Sequence, residues 1–178
     1  LPDFSERSSY LSARQTLVRL LAWGLVPVIN ENDTTSTDEI TFGDNDFLAA
    51  LTAALLGARL LILLTNTDGV FTSDPRADPA AELVGRIDDA AAAERIEIGA
   101  SSLLGRGGME SKITSARIAS ESGVPAVICN GTRAGEVGAA AEGGDGGTRV
   151  AARGEEKVNP EKVWLKKPKQ PNGQSVRG

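Results

Sequence analysis

The chain has 178 residues, 40% of them hydrophobic, a formal charge of −5 and one cysteine, Cys129. That is enough apolar material for the core of one ordinary domain, while a single cysteine excludes an internal disulfide and suits a reducing cytosol. Histidine is absent, which removes Ser-His-Asp triads, Cys-His catalysis and imidazole metal ligands together.

In chain order, helix, glycine stop and apolar strand recur as a unit. Residues 6–23 carry helical periodicity through Leu11, Thr16, Leu17, Leu20 and Leu21, Gly24 offers a left-handed cap, and 26–30 (Val-Pro-Val-Ile-Asn) predicts a strand. Residues 47–56 predict a second helix ended by Gly57, followed by a strand over 59–65. Residues 67–69 and 73–76 read as turns, and 87–97 is helical or irregular. A third helix is predicted over 109–122, stopped at Gly123, with a strand over 124–129. A short helix over 135–141 and a glycine-rich loop over 143–147 lead to a last strand at 148–151. Uninterrupted apolar strands alternating with helices predict an α/β fold whose parallel sheet is covered on both faces.

The charge is uneven. From Arg149 to the end there are eight Lys or Arg against three Asp or Glu, a local +5 that leaves about −10 on the remainder. With Pro160, Pro168 and Pro171 in the same stretch, the division expected is a domain over 1–150 and a basic, solvated linker or tail over 151–178. The negative balance speaks against nucleic acid as a partner, and no apolar run approaches a membrane span or a signal peptide. The chain opens in a helix with no strand before it, so it is expected to be the later part of a larger domain whose N-terminal portion is absent.

Chemistry concentrates in two places. Residues 104–112 (Leu-Gly-Arg-Gly-Gly-Met-Glu-Ser-Lys) form a glycine-rich turn running into a helix with a lysine in its first turn. Gly105, Gly107 and Gly108 let backbone amides approach an anion, the helix N-terminus adds N–H groups and positive potential, and Lys112 leans back toward the same point. The spacing departs from a P-loop and from a dinucleotide fingerprint, both of which require glycine where Glu110 stands. A surface turn with a solvated lysine remains the alternative. The second place is 30–33 (Asn-Glu-Asn-Asp) with 43–46 (Gly-Asp-Asn-Asp), carboxylates and amides between a strand exit and a helix entry. Taken alone, Asn30 and Asp33 also read as turn formers, and Asp44 and Asp46 as a helix N-cap and a first-turn acid. A calcium loop lacks its later glycine and glutamate here, and no protein metal site is expected. With lysine, carboxylates, amides and backbone N–H groups as the available tools, phosphoryl transfer is the reaction class that asks for little more.

Together with 63–72 (Leu-Leu-Thr-Asn-Thr-Asp-Gly-Val-Phe-Thr) and Asp74-Pro75-Arg76, these motifs in this order resemble the glutamate 5-kinases of the amino-acid kinase superfamily, over about residues 4–149. The resemblance implies an α/β/α sandwich on a mostly parallel sheet. It also implies phosphorylation of the L-glutamate side-chain carboxylate by ATP with Mg2+, the first step of proline biosynthesis, by a cytoplasmic protein that is a homo-oligomer at full length. Residue by residue, it implies that Asn30, Asp33 and Asn45 hold the amino acid with Asp44 shaping the substrate loop. Asp46 would orient catalytic lysine, and Lys112 would stabilise the moving phosphoryl group. Thr65, Asn66 and the loop of Arg106, Gly107, Gly108, Met109, Glu110 and Ser111 would bind nucleotide. Asn66 stands where the family commonly has aspartate, and Arg106 where threonine is frequent. The family's N-terminal strand with its first lysine and Ser-Gly turn has no counterpart, so little or no kinase activity is expected from this polypeptide alone. The competing expectations are an acetylglutamate, carbamate or uridylate kinase, and a noncatalytic nucleotide-binding fragment.

Overall fold

A computed structural model of the chain describes residues 7–30, 44–88 and 108–153. In these segments lie α1 (Arg7–Ala22), α2 (Asp44–Leu56), β1 (Leu61–Thr65), β2 (Arg86–Ile87), α3 (Gly108–Glu121), β3 (Ala126–Asn130), α4 (Glu136–Glu142) and β4 (Thr148–Val150).

The four strands form one sheet in the order β1-β3-β4-β2. β1 pairs parallel with β3 (Leu61 opposite Ala126, Thr65 opposite Asn130) and β2 parallel with β4, whereas β4 runs antiparallel to β3. β3 is buried along its whole length, and its alternation assigns side chains to two layers. Ala126 and Ile128 join Leu61, Leu63, Ala50, Ala53, Ile113, Ala116 and Ala119 in the core beneath α2 and α3. Val127 and Cys129 face the other way, against Ala140 of α4. The result is an α/β/α sandwich on a mostly parallel sheet. α1 lies outside it, packed on α2 through Leu17 and Leu55 and tied there by Arg14, whose Nε donates to the Leu55 carbonyl at 3.2 Å.

The glycine stops hold: Gly24, Gly57 and Gly123 all have positive φ, at 74°, 60° and 81°. Segment 26–30 does not become the strand its sequence predicts. No described strand pairs with it, Val26 and Val28 are 85% and 95% exposed, and Pro27 has no N–H to give a ladder. α2 begins at Asp44 rather than near Phe47, so Asp44 belongs to the first helical turn and not to a cap before it. Arg86–Ile87 forms a short strand where a helical or irregular stretch was expected to begin. The rest of the weakly specified stretch, residues 89–97, and the tail from 154 onward lie outside the described residues.

Between β1 and β2 the chain makes a narrow excursion closed by a bridge between Phe71 and Leu83. Thr148, wholly buried, fastens its base. Its Oγ1 accepts from the Val70 N–H at 2.8 Å and donates to the Val84 carbonyl at 2.7 Å. Gly69 sits so close that a Cβ there would meet Thr148 Oγ1 at 2.7 Å.

Cys129 is buried, and burial first, then the neighbouring Glu136 carboxylate, push its thiol above the ordinary range against the opposing pull of Arg149. A thiol that is both neutral and covered does not alkylate. Native protein treated with iodoacetamide near pH 7.5 is expected to stay unmodified by mass spectrometry until urea unfolds it. Fast labelling without denaturant would contradict the two-faced packing of β3.

Candidate active site

α2 and α3 lie against each other through small side chains, Ala50 and Ala53 on one helix and Ala116 and Ala119 on the other. Short side chains let two helices approach closely, and here their N-terminal turns meet. Lys112, in the first turns of α3, reaches Asp46 in the first turn of α2, and its Nζ donates to both carboxylate oxygens at 2.9 Å. The side chains are 16% and 20% exposed, so the pair is only partly wetted. An ammonium has three N–H donors. Two directions are taken by Asp46, and among the described residues no other acceptor is paired with Lys112.

Lys112 also lines an open cleft of about 480 Å³, together with Thr65, Asn66, Thr67, Gly69, Phe71, Asp74, Pro75, Arg76, Gly108 and Met109. That volume is ample for a nucleotide-sized ligand. Thr65 is the last residue of β1, so the cleft opens at the carboxyl end of a parallel strand, where ligands of open α/β sheets bind. The first turn of α3 and the 71–76 excursion both contribute to its walls. In that excursion Asp74 Oδ1 accepts from the Arg76 N–H at 2.9 Å, which fixes the turn carrying Pro75.

The remaining residues singled out in the sequence fall as follows. Asn45 Nδ2 donates to Asn30 Oδ1 at 3.0 Å, bringing the two amide-bearing segments together at an exposed position. Thr65, Asn66, Gly108, Met109 and Lys112 share the cleft, while exposed Glu110 and buried Ser111 stand outside its lining. Asp44 is placed by its backbone at the start of α2. Asp33, Arg106 and Gly107 lie outside the described residues. Thr67, Gly69, Asp74, Pro75 and Arg76 were legible as turn residues and, with Phe71, as parts of the motifs that carry the family resemblance, but none was assigned a place in a site, yet they build half the cleft. The available signal was their position directly after β1, on the ligand side of the sheet. Among the described residues no group of three or more Asp, Glu, His or Cys is placed to hold a metal ion, and no helix is long and apolar enough to cross a membrane.

Comparison with known proteins adds a family to this geometry. The sequence model of the amino acid kinase family matches residues 3–130. The chain belongs to that family. It is 47% identical over 164 residues to a glutamate 5-kinase of Paraburkholderia xenovorans, covering 92% of this chain and 44% of that protein. It is 42% identical over 177 residues to the glutamate 5-kinase of Meiothermus ruber, covering 98% and 46%. The chain therefore spans about half the length of the curated relatives it matches. Among solved structures, the UMP kinase of Bacillus anthracis superposes with a TM-score of 0.56 at 17% identity, over 79% of this chain and 52% of that one. At that identity the likeness is one of fold, and it agrees with an amino acid kinase sandwich.

The Asp46–Lys112 pair ties two helices that are far apart in sequence. For a partly buried pair with two charge-assisted hydrogen bonds, a double-mutant cycle with Asp46→Ala and Lys112→Ala is expected to give a coupling of about 1–3 kcal/mol in urea unfolding. Additive effects of the two substitutions would mean that the contact is not formed in solution.

Proposed function

We propose that the whole protein phosphorylates the side-chain carboxylate of L-glutamate with ATP and Mg2+, and that this chain carries most of its nucleotide cleft and part of its amino-acid site. The observation that carries the reading is the ammonium of Lys112, held by Asp46 at the junction of two helix N-termini and facing a cleft at the end of β1. The relatives named glutamate 5-kinase, at 42–47% identity, support the choice of substrate.

The chemistry asks for charge cancellation above all. A carboxylate oxygen of glutamate forms a bond to the γ-phosphorus as the bond from that phosphorus to the bridging oxygen breaks, and ADP leaves with the electron pair. No proton moves, because the nucleophile is already a carboxylate. Two anions must therefore be brought together, and fixed positive groups offset their repulsion in a site already organised before reaction. Lys112 supplies a full charge, and the first turns of α2 and α3 supply partial ones. Asp46 keeps the ammonium extended toward the cleft without covering it. Thr65, Asn66, Gly108 and Met109 receive the nucleotide, with Arg106 and Gly107 ahead of α3 and Glu110 and Ser111 in its first turn completing the phosphate-binding segment. Asn30 and Asn45 offer carboxamide donors to the α-carboxylate, Asp33 accepts from the α-amine, and Asp44 shapes the segment between them.

Mg2+ keeps water and substrate phosphates as most of its ligands. Behind the lysine, Asp46 is committed to Lys112, and in the cleft one oxygen of Asp74 is committed to the Arg76 N–H. That donor set suits a metal carried by the nucleotide's phosphates, where it neutralises charge, rather than one caged by protein.

Calorimetric titration of this chain with MgATP is expected to show binding that Lys112→Ala weakens about ten- to a hundredfold, the worth of a charged hydrogen bond. In the whole protein the same substitution is expected to lower kcat by about 10²–10³, with glutamyl phosphate trapped as the hydroxamate. Of L-glutamate, N-acetylglutamate, carbamate and UMP, only glutamate is expected to turn over. Binding without glutamyl phosphate formation in the whole protein would instead favour a noncatalytic nucleotide module.

A further inference from the structure

Asn130 is the last residue of β3, 6% exposed, and outside the cleft lining. Both ends of its amide are engaged. Nδ2 donates to Asp68 Oδ1 at 2.9 Å, while Oδ1 accepts from the Thr132 N–H at 2.9 Å and from Thr132 Oγ1 at 2.6 Å. The second carboxylate oxygen of Asp68 accepts from Arg133 at 2.8 Å. Alongside, the Gly131 N–H donates to the Thr65 carbonyl at 2.8 Å. The turn after β1 is thus bound to the turn after β3 by its side chain and by its backbone.

The direction in which Asp68 points gives this network its meaning. Thr67 and Gly69 face the cleft, while Asp68 between them turns to the opposite side and meets Asn130. Thr67 Oγ1 donates to the Gly69 carbonyl at 3.0 Å, so the cleft side of the turn makes its own short loop. From the β4 side, Thr148 fixes the Val70 N–H. The strip that would lie beneath a nucleotide is held at both ends and, through Asp68, in its middle.

Resting on the nucleotide reading above, we propose that Asn130 is a positioning residue for nucleotide binding: it touches no ligand, and through Asp68 it holds the 66–69 turn in the shape the cleft requires. A preformed turn binds more tightly because less ordering is left to be done when the ligand arrives. A neutral amide suits this place. It donates to Asp68 and accepts from Thr132 at once, whereas an aspartate at 130 would set two carboxylates against each other.

The test combines single and exchanged variants in the chain as it stands. Asp68→Ala removes the acceptor at a half-exposed side chain, and Asn130→Asp introduces the repulsion. The double exchange Asp68→Asn with Asn130→Asp restores every hydrogen bond with the roles reversed: the new amide at 68 donates to position 130 and accepts from Arg133, and the new carboxylate accepts from Thr132. Each variant is checked for folding by thermal denaturation, measured for MgATP affinity by calorimetry, and followed at the amides of residues 67–70 by hydrogen exchange without ligand. Both single variants are expected to exchange faster there and to bind MgATP about tenfold more weakly. The exchanged pair is expected to return to within about twofold of the parent on both counts. Faster exchange with unchanged affinity would overturn the proposal, as would weakened binding that the exchanged pair does not restore. Should the parent chain fail to bind MgATP, the nucleotide reading itself falls, and this inference with it. That result is distinct from a parent that binds and variants that bind equally well.

Discussion

The contact between Asp46 and Lys112 is the constraint on which the site depends. Two helix N-termini repel each other's positive ends, and the first turn of each is better placed in water than beside the other. The carboxylate of Asp46 offsets that repulsion and the alanine contacts between α2 and α3 hold the geometry. What remains at the junction is a concentrated positive potential with a lysine that is steered but not consumed. In the function proposed, the phosphates of a nucleotide complete the arrangement. The sheet serves this end by burying β3 on both faces, so that α3 rests on a platform packed from both sides.

Much of the sandwich was readable from local pattern. The apolar runs at β1 and β3, the glycine after each helix and the helical periodicity of α1 and α3 depend on neighbours in sequence, and the structure has them within a few residues. Segment 26–30 was misread because an apolar run becomes a strand only when another strand accepts its hydrogen bonds, and pairing is not written in the run itself. The same reason hid β2, two residues long, and the antiparallel entry of β4 beside β3. Neither has enough residues to show alternation.

The site divides along a similar line. Lys112 announced itself through the glycines before it, because conformational freedom and charge at a helix start have a local signature. That Asp46 is its partner, sixty-six residues away, was implied only by the family resemblance, since spacing carries no information about which helices touch. Asp74 and Arg76 looked like ordinary turn residues, Phe71 stood only within a family motif, and the turn is real. Their part in the cleft comes from how the excursion folds back over the end of β1, which Thr148 and the Phe71–Leu83 bridge decide. The Asn130–Asp68 contact belongs to the same class: a strand-end residue and a turn residue made consequential by the parallel pairing of β1 with β3.

In the site proposed, Lys112 meets the terminal phosphates of a nucleotide and not its base or sugar. The most direct measurement is the ratio of affinities for MgATP and AMP, determined by calorimetry for the parent chain and for Lys112→Ala. The parent is expected to favour MgATP and the substitution to erase about tenfold or more of that preference, leaving AMP binding nearly unchanged. An equal loss for both nucleotides, or a preference that survives without the lysine, would contradict it.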